Sequence, residues 1–269
     1  MQTILAAAKV TLSLAFLLYA SWSDYKTREV TNRVWAIYAP LALFLSIPEL
    51  LLYDPSKLPL FALSFGATAA FAIIIFYTGA FGGADSKALM CIALALPFFP
   101  ETLLTPIFTA GISPLAQNFF PLTIFSNAVL FAAASGIYML LRNLIWRIKT
   151  RRKIFEGTLG TESIGKKILV MITGYKVSVA KLKAKWHVYP MEDVEEGEAI
   201  LKRKLLIVPK DEHRDEIVER LSKAVDTGKI DTYVWATPGL PMLIFITIGL
   251  IAGLLFGDIV WLLVSFVLG

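Results

Sequence analysis

The chain has 269 residues, 57% of them hydrophobic, with a mean hydropathy of +0.66 and only 17% charged. Apolar runs of about 20 residues in such a composition indicate a polytopic membrane protein and exclude an ordinary soluble domain. The formal net charge of +5 would suggest nucleic acid in a soluble protein, but here Lys and Arg crowd particular loops, where anionic lipid headgroups are their natural partners. Cys91 is the only cysteine, so neither a disulfide framework nor a thiolate zinc site can be built within one chain, and no cofactor or metal is expected.

In chain order, hydropathy gives six spans, at about Ile4–Ser21, Val34–Leu52, Leu58–Ala80, Ala84–Phe99, Pro121–Trp146 and Leu240–Phe256. The first lacks a basic n-region and a small-x-small cleavage site, so it reads as a retained helix rather than a signal peptide. Pro97, Pro100 and Pro106 interrupt the fourth, which predicts a short helix followed by irregular backbone. Between the fifth and sixth spans the sequence changes character and becomes rich in charge. It opens on the basic cluster RIKTRRK, Arg147 to Lys153, then alternates through Lys166 to Lys183 like two short strands around Gly174. Asp211 to Gly228 reads as an amphipathic helix with acids early, Lys223 late and Gly228 as its stop. His187 and His213 fall in this region without metal-ligand spacing. The expected fold is an all-α polytopic membrane protein with six transmembrane helices and a small α+β cytoplasmic domain inserted between helices five and six. Its expected parts are 1–146, 147–238 and 239–269.

Basic residues near the membrane set the expected orientation. Lys26, Arg28 and Arg33 lie in loop one, Lys87 in loop three and the Arg147 to Lys153 cluster at the start of loop five, whereas loop two offers only Lys57. The positive-inside rule then puts loops one, three and five in the cytoplasm and the N-terminus outside the cell membrane. On this topology Asp54 and Glu101 fall in outer loops. Asp258, about 20 residues into the last span, lies roughly 30 Å from the cytoplasmic end. Asp24, at the end of span one, and Asp85, at the start of span four, remain as a pair on one side, with Glu29 and Asp231 as weaker candidates.

Two carboxylates in a semi-apolar cleft cannot both ionise cheaply, so they share a proton. One can then act as base toward water while the other donates to a carbonyl oxygen. Such a pair hydrolyses peptides without metal, cysteine or histidine. The flanking Gly79, Gly82 and Gly83 would let a substrate backbone approach and permit unusual dihedrals at a helix entry. The simpler alternative is structural: Asp85 as a helix cap, Gly-Gly as a turn and Asp24 as a solvated loop residue.

Two motifs in order add specificity. FGGADSKALM, Phe81 to Met90, resembles the GxGD signature of membrane aspartyl proteases, with Gly82, Gly83, Ala84 and Asp85 at the motif positions and Ala84 in place of the second glycine. SDYKTREVTN resembles the D-x-R/K-x-x-x-I-P-N stretch of prepilin peptidases, through Asp24, Lys26, Val30, Thr31 and Asn32. With Lys87 after the second acid and a polar insert before the last span, the chain is similar to the archaeal preflagellin (prearchaellin) peptidases among the type IV prepilin peptidases. The other family choice, the presenilins, has a PAL motif that is absent here; TPGLP is a distant analogue. The resemblance implies that Asp24 and Asp85 are the catalytic pair. It implies substrates that are archaellin or pilin-like precursors with a short basic leader before a hydrophobic helix, cut at the cytoplasmic face. Bacterial relatives that also methylate the new N-terminus often carry a two-CxxC loop, and its absence here implies cleavage without methylation. Two alternatives use the same residues differently: an ion- or proton-coupled transporter with Asp24 and Asp85 as its acids, and a non-enzymatic scaffold in which both are dispensable.

Overall fold

The computed structural model describes residues 1–79, 81–196, 201–206, 213–239 and 241–268, without the side chains of Thr109, Glu196 and Leu201. Asp211 and Glu212, expected to open the amphipathic helix, lie outside the described residues. The chain divides into two compact units, Met1–Ala132 with Pro241–Gly269, and Ala133–Leu240. It is mostly helical and carries membrane helices together with a small strand-containing region toward its C-terminal end.

The first unit contains α1 (Gln2–Thr27), α2 (Asn32–Tyr53), α3 (Leu58–Tyr77), α4 (Gly83–Ala95) and the short α5 (Pro114–Asn118). It also takes in the first part of α6 (Phe120–Thr150), and near the C-terminus α10 (Met242–Phe256) and α11 (Ile259–Leu268). Among the described residues, α1, α2, α3 and α6 are each long and apolar enough to cross a membrane. The pair α10 and α11, bent by 58° at Gly257–Asp258, qualifies together as a fifth. The stretch expected as the fourth span folds as a 13-residue helix, α4, and then continues as irregular backbone, the break that the prolines foreshadow. At about 1.5 Å per residue, α4 is roughly 20 Å long, shorter than a bilayer core of about 30 Å.

Lipid tails are as apolar as leucine, so burial of apolar surface does little to join helices in a membrane; close packing and hydrogen bonds do that work. Small residues supply the packing, since Ala20, Ala42, Ala72, Ala88, Ala93 and Ala95 are completely buried. Short hydroxyls supply the bonds. Ser86 Oγ donates to the Ala72 carbonyl, Ser46 Oγ to Ala95 and Ser64 Oγ to Pro97, so α2 and α3 hold both α4 and the chain that leaves it. Helix α10 packs beside α1, where Ser21 and Thr247 hydroxyls meet at 2.8 Å. Lys9 and Glu49, both buried, form an ion pair between α1 and α2.

The second unit holds the rest of α6, then α7 (Ile164–Thr173), α8 (Val179–Ala184) and α9 (Arg214–Asp226). Its strands are β1 (Tyr175–Ser178), β2 (Val188–Pro190), β3 (Glu192–Glu196), β4 (Leu201–Leu205) and β5 (Tyr233–Pro238). An antiparallel sheet of order β1-β5-β2 pairs Val177 with Val234 and Tyr189 with Thr237, while β3 and β4 form a separate antiparallel pair. Helix α9 has Asp215 and Glu216 in its first turn, Lys223 in its last and Gly228, at φ 67°, just beyond, as the charge pattern predicts. The two strands expected around Gly174 are corrected: only the second exists, as β1, and the first is α7. Ser163 decides this by capping the segment, its hydroxyl accepting from the Lys166 amide, and the apolar residues then follow a helical period. Around Trp235 the fold buries charge: Glu192 accepts from Arg203 and from the Trp235 amide, and Lys176 lies 5.1 Å from the Trp235 ring. Burial pushes the Lys176 ammonium below its ordinary value, and the Glu192 carboxylate works against that shift.

Helix α10 approaches α6 so closely that a Cβ on Gly249 would sit 2.4 Å from the Ile124 carbonyl oxygen. Gly249→Val should therefore destabilise the protein by about 1–3 kcal/mol, the usual cost of overpacking. The drop should appear in the melting temperature of the detergent-solubilised protein. Gly66→Ala is the matched control, because its added methyl meets nothing within 4 Å.

Candidate active site

Asp24 sits in the last turn of α1, whose carbonyl accepts the amide of Arg28, the residue that ends the helix in a left-handed conformation at φ 56°. That reversal turns the chain back at once, and the next three residues, Glu29 to Thr31, lead into α2. Two hydroxyls set the position of the turn: Ser23 Oγ and Thr27 Oγ1 both donate to the Glu29 carbonyl, at 2.8 and 3.0 Å.

Asp85 sits at the third position of α4. Its Oδ2 accepts the Gly82 amide at 3.0 Å, the carboxylate half of a capping box. A Cβ on Gly82 would lie 3.1 Å from that oxygen, so glycine keeps the carboxylate against the amide. Ala84, in the place of the motif's second glycine, is part of the right-handed helix, so glycine's access to positive φ is not needed there. Gly79, by contrast, does take a positive φ of 74° ahead of the motif.

The two motifs share one cleft of about 430 Å3, lined by Asp24 and Arg28 to Asn32 from one and Gly82 to Asp85 from the other. Both carboxylates are half-buried there. Lys87 does not line the cleft but ties its walls together, its Nζ donating to Asn32 Oδ1 at 2.7 Å. Lys26 is directed elsewhere, lying 4.2 Å from the Trp22 ring. The lining carries three acids, Asp24, Glu29 and Asp85, against one base, Arg28. Among the described residues no group of three or more His, Cys, Asp and Glu could hold a metal ion.

The profile of the type IV leader peptidase family matches residues 11–137, a stretch that contains both motifs. A second profile, the archaeal peptidase A24 C-terminus type II, matches residues 166–259. Together the two peptidase A24 profiles cover most of the chain. It is similar, at 29% identity, to the preflagellin peptidase of Methanococcus voltae, over 92% of this chain and 94% of that relative. It is also similar, at 26% identity, to the preflagellin peptidase of Methanocaldococcus jannaschii, over 90% and 91% of the two chains. It is a membrane peptidase.

The other acids near the membrane lie outside the cleft. Asp54 accepts from Ser56 and pairs with Lys57, and Asp258 accepts from Ser113 and from the Trp261 amide at the start of α11. Asp231 forms an ion pair with Arg152 within the second unit. Glu29, ranked behind the two aspartates from sequence, does line the cleft. The clamp made by Ser23 and Thr27 is not named from the sequence, though hydroxyls at the first and fifth positions of a motif that must reverse direction are a usable signal for a capped turn.

Gly82→Val would drive a side chain into the Asp85 carboxylate. The peptidase activity should fall sharply while the melting temperature changes little, because Gly82 itself is exposed. Gly66→Ala is again the control, since Gly66 is outside the cleft lining and its added methyl meets nothing within 4 Å.

Proposed function

We propose that the protein is an aspartyl endopeptidase that removes the short basic leader from archaellin or type IV pilin-like precursors, without N-methylation. The observation that carries this reading is that Asp24 and Asp85, far apart in sequence, line the same cleft. The named relatives are preflagellin peptidases. The lining's excess of acids over bases suits a basic leader.

The two aspartates share one proton. Asp85 begins a helix and takes the base role, accepting a proton from the attacking water, while Asp24, near the end of α1, donates to the carbonyl oxygen of the scissile bond. The resulting tetrahedral diol collapses as one hydroxyl returns its proton to Asp24 and the nitrogen leaves with the proton held by Asp85, restoring the pair. The glycines at 82 and 83 let the substrate backbone come close to the acids.

The topology that fits is six crossings, the fourth made by α4 with the chain that follows it, and the cleft and the Ala133–Leu240 unit in the cytoplasm. Positive-inside loops support it, and so does the cleft, which requires the end of α1 and the start of α4 to share a side. The basic cluster at Arg147 to Lys153 then faces anionic headgroups. Coupled transport is disfavoured, because its acids generally sit at the bilayer midplane between paired repeats.

Asp24→Asn and Asp85→Asn should each lower cleavage of a purified archaellin precursor by about 10²–10⁴-fold, the usual contribution of a general acid or base, with the melting temperature retained. Chelators and thiol reagents should leave the wild type active. Full turnover by a folded Asp85→Asn variant would sink the aspartyl mechanism.

Sidedness has its own check. In a Cys91→Ala background, a cysteine in place of the exposed Lys223 should react with a membrane-impermeant maleimide only after the cells are opened. Labelling of intact cells would reverse the orientation.

A further inference from the structure

The Ala133–Leu240 unit has an exposed apolar face beside a membrane-spanning helix, and its reading depends only on the chain being a membrane protein. Helix α6 has 31 residues, so it is roughly 46 Å long at about 1.5 Å per residue, against a hydrocarbon core of about 30 Å. Its last third therefore runs through the headgroup layer. There it keeps an exposed apolar stripe at helical spacing, Leu141, Ile145 and Ile148, interleaved with exposed Arg147 and Lys149.

Helix α7 is fixed beside this portion of α6. Gly136 leaves room for Ile172, whose carbonyl oxygen would be 3.4 Å from an added Cβ, and Asn143 Nδ2 donates to the carbonyls of Met171 and Gly174 at 2.9 and 2.7 Å. With its C-terminal turn held against residues 136–143, α7 lies at the depth where α6 leaves the hydrocarbon. Val170 packs inward and is fully buried, while Ile164, Ile168 and Leu169 are 75%, 53% and 40% exposed. Lys166 and Lys167 stand between Gly165 and Ile168. This is the pattern of a helix that lies in the interface with its apolar face toward the acyl chains and its lysines among the phosphates.

We propose that α7 is an interfacial helix that seats the Ala133–Leu240 unit on an anionic lipid surface through Ile164, Ile168 and Leu169. The occupant of that face is the bilayer itself. Three observations select it over another protein: continuity with a membrane-spanning helix, the matching apolar stripe on α6, and the surrounding positive charge at Arg147, Lys149, Arg151 and Lys153.

The test uses the full chain in vesicles of phosphatidylcholine and phosphatidylglycerol, with Cys91→Ala and one new cysteine carrying an environment-sensitive fluorophore. Ile168→Cys should be quenched several-fold more by brominated lipid than Lys223→Cys on α9, and iodide in the buffer should rank them in the opposite order. Equal quenching of the two sites by brominated lipid would overturn the proposal. So would protection of position 168 from both quenchers together with disulfide formation between chains of the unlabelled Ile168→Cys protein, which would assign the face to a second copy. Leu169→Cys is a second reporter on the same face, read in the same way, should labelling at 168 disturb the fold.

Discussion

A backbone amide or carbonyl left unpaired in hydrocarbon costs several kcal/mol, and this constraint governs everything around α4. A helix too short to cross the core leaves both of its ends, and the irregular chain after it, to find partners inside the protein. The C-terminal side is satisfied by exchange between neighbouring loops: Phe120 donates to Pro97, Phe99 to Ala116, Ile107 to Leu255 and Asp258 to Gly111. Serines on α2 and α3 take up further carbonyls there. The N-terminal side is satisfied by Asp85, whose carboxylate accepts the Gly82 amide.

Capping and the proposed chemistry are thus compatible at Asp85 and not rival explanations of it. The bond to Gly82 uses Oδ2 and fixes the side chain's direction. A carboxylate fixed in this way at the wall of a cleft is preorganised, which matters more for catalysis than a flexible acid of the same strength. Asp24 is fixed through a longer chain of causes: Arg28 ends α1 in a left-handed turn, and Ser23 and Thr27 hold the turn's next carbonyl. The left-handed conformation at a non-glycine residue costs roughly 1–2 kcal/mol, an expense that the two hydroxyl bonds and the cap to Asp24's own carbonyl offset.

The long apolar helices were legible because composition alone decides them, and α9 was legible because charge, period and the stop glycine agree. Helix α7 was misread as a strand because ILVMI satisfies either period, and the deciding residue, Ser163, stands outside the alternating run. The shortness of α4 is visible in its prolines, but the path of the chain after it depends on tertiary bonds between residues such as Ile107 and Leu255 that no local pattern encodes. The two motifs were legible as residue types at fixed spacing. Their shared cleft, the Lys87–Asn32 bond that joins its walls and the Lys9–Glu49 pair are long-range facts, separated by too much chain for spacing to announce them.

Those last two contacts bear on how the cleft can change shape. Asn32 begins α2 and Glu49 lies 17 residues later, so lysines from two different helices pin α2 near both its ends, Lys87 of α4 at one and Lys9 of α1 at the other. Sliding α2 by one turn, about 5.4 Å, would break both contacts and leave a buried carboxylate unpaired, which is far costlier than losing a surface ion pair. Rearrangement of the cleft is therefore confined to motions that leave α2 in register. Outside α2, the turn from Thr27 to Thr31 is held by hydroxyl bonds at an exposed surface, and Gly82 at the entry to α4 is exposed. Both border the acids, so a change at either would move Asp24 or Asp85.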